Sequence, residues 1–155
     1  MYTRILVTLD GSPLAEQVLP HVKGLIEGRP AIAIYLLSIA QVIDAAAASA
    51  MLYPLAVYPG RPIDEQAERR RLEDELCNYL RSIELQLNQN GNVVNSEVRF
   101  GQPAEEIISY AHDIHADLIA MSTHGRSGIA RWTYGSVADR VLHAAECPVL
   151  LVRAK

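Results

Sequence analysis

Glycines and hydroxyl side chains are concentrated in one stretch of this 155-residue sequence, MSTHGRSGIARWTYGS at residues 121–136. The stretch holds three glycines and two arginines, Arg126 and Arg131, and the next carboxylate is Asp139. Glycine permits positive φ and lets a ligand approach backbone amides closely. Consecutive N–H groups beside a helix N-terminus bind anions, and a carboxylate there would repel phosphate. The stretch therefore predicts a loop that holds phosphate groups.

A purely structural interpretation of the same stretch is also open. The glycines would then serve only turns, and Ser136 with Asp139 would form a capping box that uses the serine for the helix itself. The stretch does not match the P-loop pattern G-x-x-x-x-G-K-[ST], and the first strand does not lead into G-x-G-x-x-G. Neither a P-loop nor a dinucleotide site is therefore predicted.

Other reactive residue types give weaker patterns. His112 and His115 have metal-compatible spacing on a helix, but the sequence offers no evident third ligand, so no metal site is predicted. Cys77 and Cys147 lie far apart, and we expect buried thiols of a reducing compartment rather than a disulfide. Neither has a base nearby in the sequence, so a catalytic thiol is not expected.

Composition favours one folded domain over residues 1–155. Half of the residues are apolar and 21% are charged, which is typical of soluble globular proteins. A net charge of −4 offers no basic surface for nucleic acid. The longest uncharged stretch, residues 45–60, contains two prolines and is too short to span a membrane. The N-terminus lacks a signal-peptide layout, so a cytoplasmic location is expected.

Strands and helices alternate along the sequence, and they must position the predicted glycine loop (residues 121–136). Five runs predict strands, at residues 4–9, 31–40, 93–100, 117–121 and 147–153. This alternation predicts an α/β fold with a parallel sheet and helices on both faces. The third run alternates in polarity and suits an edge strand. The last run, PVLLV, should also form an edge, yet it has no charge to deter a partner, so we expect a second copy of the chain to cover it.

The helix boundaries follow from capping residues and prolines. Ser12 is expected to cap the first helix, with Pro13 at its first position. Pro20 lies inside the apolar stripe of that helix and predicts a kink, because its ring removes a backbone hydrogen bond. The second helix is expected to start near Ile63, and Pro103 is expected in the first turn of the third.

Nearly the whole chain resembles the universal stress proteins, least so between Gln41 and Asn92. The likeness is carried by ILVTLDGSPLAEQVLPHV near the start and by GQPAEEIISYAHDIHADLIAMSTHGRSGIARWTYGSVADRVLHAAECPVLLVR near the end. The resemblance implies a five-stranded parallel sheet in the order 3-2-1-4-5, as in the adenine nucleotide alpha hydrolase-like fold. It also implies a homodimer formed through the last strand, between Pro148 and Val152.

The ATP-binding branch of that family carries the motif G-x2-G-x9-G-[ST]. In this chain Gly125, Gly135 and Ser136 match the motif, and Ser122 replaces the first glycine. The resemblance implies ATP as the ligand, with Mg²⁺ or Mn²⁺ bound through the phosphates. The nucleotide-binding residues that it implies are Asp10, Ile39, Ser122, His124, Gly125, Arg126, Ser127, Gly128, Gly135, Ser136 and Val137.

The resemblance also implies roles for individual residues. Asp10 would accept hydrogen bonds from the adenosine, with the ribose as the expected donor, and Ile39 would pack on the adenine. The alternatives are that Asp10 only organises an Asx turn in DGSP and that Ile39 is an ordinary core residue. Trp132 and Tyr134 could shield the site or pack between helices, and packing between helices is the favoured expectation.

The same sequence favours binding over catalysis. Hydrolysis of ATP needs a group that orients water, and the loop offers no evident base. We therefore predict a nucleotide-responsive dimeric regulator of the stress response that acts on an unidentified protein partner, with at most a slow ATPase or self-phosphorylating activity. The alternatives are a dimeric interaction module that binds no nucleotide and a protein that binds AMP or cyclic AMP.

Overall fold

The structure is a computed structural model, and it describes residues 2–29, 31–41, 64–88, 92–124 and 135–154. The strands are β1 (Arg4–Thr8), β2 (Ala33–Ala40), β3 (Val93–Phe100), β4 (Leu118–His124) and β5 (Val149–Ala154). The helices are a 3₁₀ helix (Ala15–Val18), α1 (Leu19–Ile26), α2 (Glu65–Leu87), α3 (Pro103–Asp113) and α4 (Ser136–Ala144).

The strands form one parallel sheet in the order β3-β2-β1-β4-β5. Ile5 of β1 pairs with Ile34 of β2 on one side and with Leu118 of β4 on the other. The α/β fold predicted from the alternation of elements and the strand order implied by the resemblance are therefore confirmed, and β3 and β5 lie at the edges. The chain order reverses between β1 and β4, and in open parallel sheets ligands bind beyond the carboxyl ends of the strands at this point.

The core occupies both faces of the sheet, because successive strand residues point to opposite faces. Val7 and Ile34 pack with Val18 and Leu80, under the 3₁₀ helix, α1 and α2. The other face is covered by α3 and α4, and its cluster includes Leu6. The carboxyl ends of the strands, called the carboxyl edge of the sheet below, therefore lie between two layers of helices.

The first helical segment differs from the prediction of a kinked helix. The 3₁₀ helix ends at Val18 and α1 begins at Leu19, so Pro20 lies in the first turn of α1. The missing N–H has no consequence there, because first-turn amides have no partner within the helix. Ser12 Oγ accepts the backbone N–H of Ala15 at 3.1 Å, but the helical segment begins at Ala15 with Leu14 as its N-cap, so the prediction of Pro13 as its first position was wrong.

The start of α2 lies close to the predicted position. Asp64 is its N-cap, and its Oδ1 accepts the N–H groups of Gln66 and Ala67 at 3.1 and 3.2 Å. The predicted start, Ile63, lies outside the described residues. Pro103 occupies the first turn of α3, as expected.

The two cysteines are free thiols, but only one is partly buried. Cys77 on α2 is exposed and Cys147 is half-buried. The expectation of a buried thiol was wrong for Cys77, because the buried face of α2 runs through Leu80, Ile83 and Leu87 and leaves Cys77 on the solvent side.

Candidate functional site

The predicted nucleotide site falls at the carboxyl ends of the neighbouring strands β1 and β4, where β4 runs further than β1, to His124. Of the predicted contacts, the structure places Asp10 in the turn after β1, Ser122 in β4, and Gly135 at the start of α4. The predicted residues Gly125, Arg126, Ser127, Gly128, Arg131, Trp132 and Tyr134 lie outside the described residues. For His124 the structure gives the backbone alone.

Asp10 organises the turn that follows β1. Its Oδ1 accepts the backbone N–H of Ser12 at 2.9 Å, and Gly11 adopts a φ of +80°. This is an Asx turn, so the structural role considered for Asp10 is confirmed. The side chain nevertheless stays exposed at the carboxyl edge of the sheet, and the turn holds the carboxylate at a fixed place there.

Ser122 is tied to the 3₁₀ helix. Its Oγ donates a hydrogen bond to the carbonyl oxygen of Ala15 at 3.1 Å. The preceding side chain, Met121, packs on the opposite face of the sheet in the cluster under α3 and α4. The hydroxyl that departs from the glycine motif is therefore directed to the 3₁₀ helix and away from the face that α4 covers.

The N-terminus of α4 carries no side-chain cap from the described residues. Gly135 is the N-cap residue, at φ +89° and ψ 147°, and its carbonyl accepts the N–H of Asp139 at 2.9 Å. Ser136 is the first helical residue, so the capping box with Ser136 as the cap is wrong. The serine hydroxyl and the first-turn amides are not used by such a cap.

A cavity of about 460 Å³ separates the first turns of α3 and α4. It is lined by Gln41, Gln102, Pro103, Ala104, Ser136, Val137 and Arg140. No side chain of the described ranges caps α3 either. Because the first amides of a helix lack partners within the helix and mark the positive end of its dipole, two such ends beside one cavity favour an anion.

The described residues that line this cavity include a cation, Arg140. Arg140 is the charged side chain among its described lining residues, and its guanidinium Nη1 lies 3.7 Å from Glu105 Oε1. Sequence reasoning missed Arg140. The signal that could have found it is its spacing, because Arg140 lies four residues after Ser136 and therefore on the same face of α4.

Ile39 lies half-buried at the end of β2. It packs against the hydrophobic cluster under α3 and α4. Ile39 therefore packs against the core without being fully buried, and its contact with adenine stays a prediction. Gln41, two residues further on, lines the cavity between α3 and α4.

A second cavity, of about 540 Å³, lies at the end of the sheet where the strands begin. His112, His115, Glu146 and Cys147 are among its lining residues. Within the described residues, no three His, Cys, Asp or Glu side chains lie close enough to hold a metal ion. Burial, and then the negative charge of Asp117, raises the pKa of the Cys147 thiol. A raised pKa disfavours the thiolate that a catalytic cysteine needs.

Comparison with known proteins identifies the family to which the chain belongs. A profile of the universal stress protein family matches residues 1–153. The chain belongs to the universal stress protein family. Universal stress protein MJ0531 of Methanocaldococcus jannaschii is 29% identical over 99% of this chain and 83% of its own length. Universal stress protein MJ0577 of the same organism is 28% identical over 100% of this chain and 97% of its own length.

Solved structures of universal stress proteins share the fold. The structure of MJ0577 superposes with a TM-score of 0.77 at 28% identity, covering 100% of this chain and 98% of that one. A universal stress protein solved in complex with cyclic AMP matches with a TM-score of 0.61 at 17% identity, covering 99% and 98%. At that identity the second likeness shows the fold alone.

The described residues of this universal stress protein include no helix that is long and apolar enough to cross a membrane. Three described residues of its glycine motif, Ser122, Gly135 and Ser136, lie at the carboxyl edge of the sheet. The structure brings Ser136 and Val137 to the cavity between α3 and α4. It places Asp10 and Ser122 beside the 3₁₀ helix instead, in hydrogen bonds that fix the turn and the strand end.

Proposed function

We propose that this universal stress protein binds an adenine nucleotide, ATP with Mg²⁺ or Mn²⁺ held through its phosphates. In this proposal it acts as a nucleotide-responsive dimeric regulator of the stress response in the cytoplasm. The observation that carries the proposal is the start of α4. There Gly135 at φ +89° exposes first-turn amides that no described side chain caps, at the edge of a cavity.

The proposed ligand spans the carboxyl edge of the sheet. Its phosphates lie at Gly135, Ser136 and Val137, where the helix dipole favours negative charge. Its ribose is bound by the exposed carboxylate of Asp10, and its adenine packs on Ile39. The remaining proposed contacts are Ser122, His124, Gly125, Arg126, Ser127 and Gly128.

Ser122 is compatible with this ligand. A serine in place of glycine would obstruct the nucleotide only if its side chain entered the space that the ligand needs. Its hydroxyl instead donates to Ala15 on the side of the 3₁₀ helix. The altered motif therefore does not favour the alternative of an interaction module that binds no nucleotide.

We assign binding rather than catalysis. Phosphoryl transfer to water needs a positioned group that orients the nucleophile. The first turns of α3 and α4 carry Glu105, Glu106 and Asp139. Glu105 Oε1 lies 3.7 Å from Arg140 Nη1, and Glu106 Oε2 lies 3.7 Å from Arg99 Nη1. Asp139 Oδ2 lies 3.8 Å from His143 Nδ1. All three carboxylates have neighbours that compete for them, so any turnover is expected to be slow.

The proposed dimer uses the free edge of β5. This strand pairs with β4 on one side and lies at the edge of the sheet on the other. Its residues Val149 to Val152 are half-buried and apolar, and Arg153 is the exposed charge of the strand. An exposed apolar edge strand tends to pair with another chain unless it is covered.

The test is thermal unfolding of the purified protein with ATP and Mg²⁺, AMP or cyclic AMP. A ligand at 100 times its dissociation constant adds about 2.7 kcal/mol. In a domain of this size each kcal/mol raises the melting temperature by about 2–4 °C. A shift with AMP or cyclic AMP but not ATP would reassign the ligand. An unchanged melting temperature with all three would favour the interaction module instead.

A further inference from the structure

We propose that Arg140 recognises the phosphate groups of the bound nucleotide. In doing so it leaves Glu105 for a phosphate, so that the ion pair between α3 and α4 breaks when the nucleotide binds. This inference rests on the proposed nucleotide binding. It adds a specificity-determining residue outside the glycine motif, and it gives nucleotide occupancy a direct effect on the contact between two helices.

The position of Arg140 on α4 directs it towards the proposed phosphate site. Arg140 follows Ser136 by four residues, so the two side chains lie on one face of the helix, one turn apart. Helical side chains lean towards the N-terminus of their helix, so the long guanidinium side chain extends back over the first turn. Arg140 lines the same cavity as Ser136 and Val137, whose amides are proposed to bind phosphate.

The present partner of Arg140 is weakly held. The Nη1 atom of Arg140 lies 3.7 Å from Oε1 of Glu105, and the two side chains are 63% and 66% exposed. Ion pairs that are this exposed contribute little to stability, so their loss costs the fold little. A phosphate group offers arginine a planar, two-pronged set of charge-assisted hydrogen bonds, which are shorter and stronger.

The charges around the cavity favour this exchange. Arg140 is the charged side chain among the described residues that line it, while Glu105 lies in the first turn of α3, beside the lining residue Ala104. Asp139, the nearest carboxylate along α4, has its Oδ2 3.8 Å from His143 one turn further on. Among the described residues, an arriving phosphate thus meets the cation Arg140 and two helix N-termini without a side-chain cap, and it competes with Glu105 for the cation.

Opening of the pair changes the surface between α3 and α4. The ion pair of Glu105 and Arg140 joins the first turn of α3 to the second turn of α4. In the filled site Arg140 turns to the phosphate, and the carboxylate of Glu105 is released to solvent. A partner protein that recognises Glu105 would then distinguish the two states.

The test is calorimetric titration of the full chain with ATP plus Mg²⁺ and, separately, with adenosine, which lacks phosphate. The variant R140Q should bind ATP about 10- to 100-fold more weakly, as expected for loss of a charged hydrogen bond. Its affinity for adenosine should stay within about twofold of the wild type. The variant R140K should fall between the two, because lysine keeps the charge and loses the two-pronged geometry.

The variant E105Q tests the exchange itself. Removing the competing carboxylate should strengthen ATP binding several-fold, and this gain should disappear in the double variant R140Q/E105Q. R81Q, which removes an exposed cation on α2, controls for the change in net charge and should bind ATP as the wild type does.

Each outcome separates this inference from the proposed function. Equal ATP affinity in R140Q and the wild type would overturn the proposal that Arg140 recognises phosphate, and it would leave the proposal of nucleotide binding intact. Equal losses of ATP and adenosine affinity, or an equal loss of ATP affinity in R81Q, would also overturn it. A wild-type protein that binds neither ligand would overturn both.

Discussion

Ser122 Oγ donates a hydrogen bond to the carbonyl oxygen of Ala15 at 3.1 Å, across 107 residues of sequence. The bond joins the end of β4 to the 3₁₀ helix, and so links the strand that leads into the glycine loop to the turn that presents Asp10. A residue that departs from the nucleotide-binding motif thus has a structural partner of its own.

Replacing Ser122 by glycine restores the motif and removes this bond. We expect S122G to keep ATP affinity within about threefold of the wild type, because the hydroxyl is engaged by the carbonyl oxygen of Ala15. We expect the variant to lose on the order of 1–2 kcal/mol of stability, from one hydrogen bond and the greater freedom of glycine in a strand. Calorimetric titration and urea unfolding measure the two quantities. An ATP affinity raised tenfold or more would mean that Ser122 obstructs the site.

Gly135 should resist substitution because of its backbone conformation. A Cβ there would meet Thr123 Oγ1 at 4.0 Å, so space is available, but the φ of +89° is strained for any other residue. We expect G135A to lose about 1–3 kcal/mol in urea unfolding and to bind ATP more weakly.

The matched control is Gly24, which lies inside α1 with open space around its Cβ position. We expect G24A to be neutral or to gain up to about 1 kcal/mol, because alanine favours the helix. Equal effects of G135A and G24A would show that the conformation of Gly135 is not required.

The proposed dimer interface at β5 can be tested by introducing a charged residue into that strand. A lysine at Leu150 should disrupt pairing of two β5 edges, so L150K should sediment as a monomer where the wild type sediments as a dimer. The control is V93K on β3, the other edge strand, where Val93 is already 61% exposed. Circular dichroism should show that both variants stay folded. If L150K remains dimeric, or if V93K dissociates equally, β5 is not the interface.

Acid should weaken the junction of β1 and β4 through Asp117. Its carboxylate accepts hydrogen bonds from Thr3 N and Thr3 Oγ1 at 2.7 Å and from Arg4 N at 3.1 Å. Burial acts to raise the pKa of Asp117, but the bonds from Thr3 and Arg4 and the charge of Arg4 outweigh it, so the pKa lies below its usual value. The folded state therefore binds this proton less readily than the unfolded state.

Because the pKa is lowered on folding, this contribution to stability is present above about pH 4 and is lost as the pH falls through the folded pKa. We expect the wild type to exceed D117N in free energy of unfolding at pH 7, and the difference to shrink below about pH 4. Urea unfolding of both proteins across pH 2.5 to 7 (a range of about five units) measures it. A difference that stays constant across that range would contradict the assignment.

The fold could be predicted because its signals are local and repeated. Alternating runs of apolar residues specify strands and helices, and the polarity of β3 and the place of β5 as the last strand indicate edges. Pro20 shows where this reasoning fails. A proline in a helical stripe predicts a kink, but the preceding residues can form a 3₁₀ helix that places the proline in a first turn, and sequence does not rank these outcomes.

The site was predicted less completely, because its geometry depends on one backbone torsion and on contacts distant in sequence. Ser136 fits a capping box by spacing, yet Gly135 takes the N-cap position, since its positive φ lets the chain enter α4 one residue earlier. The bond from Ser122 to Ala15 and the pair of Glu105 with Arg140 join separate elements. No local pattern indicates such pairs.

The central claim is that backbone amides at the start of α4 hold the phosphates of an adenine nucleotide. A crystal structure of the protein with millimolar ATP and Mg²⁺ tests it most directly. We predict phosphate oxygens about 2.7–3.2 Å from the backbone nitrogens of Ser136 and Val137. Well-ordered crystals in which the protein's own side chains fill this position, or in which the nucleotide binds elsewhere, would contradict the account.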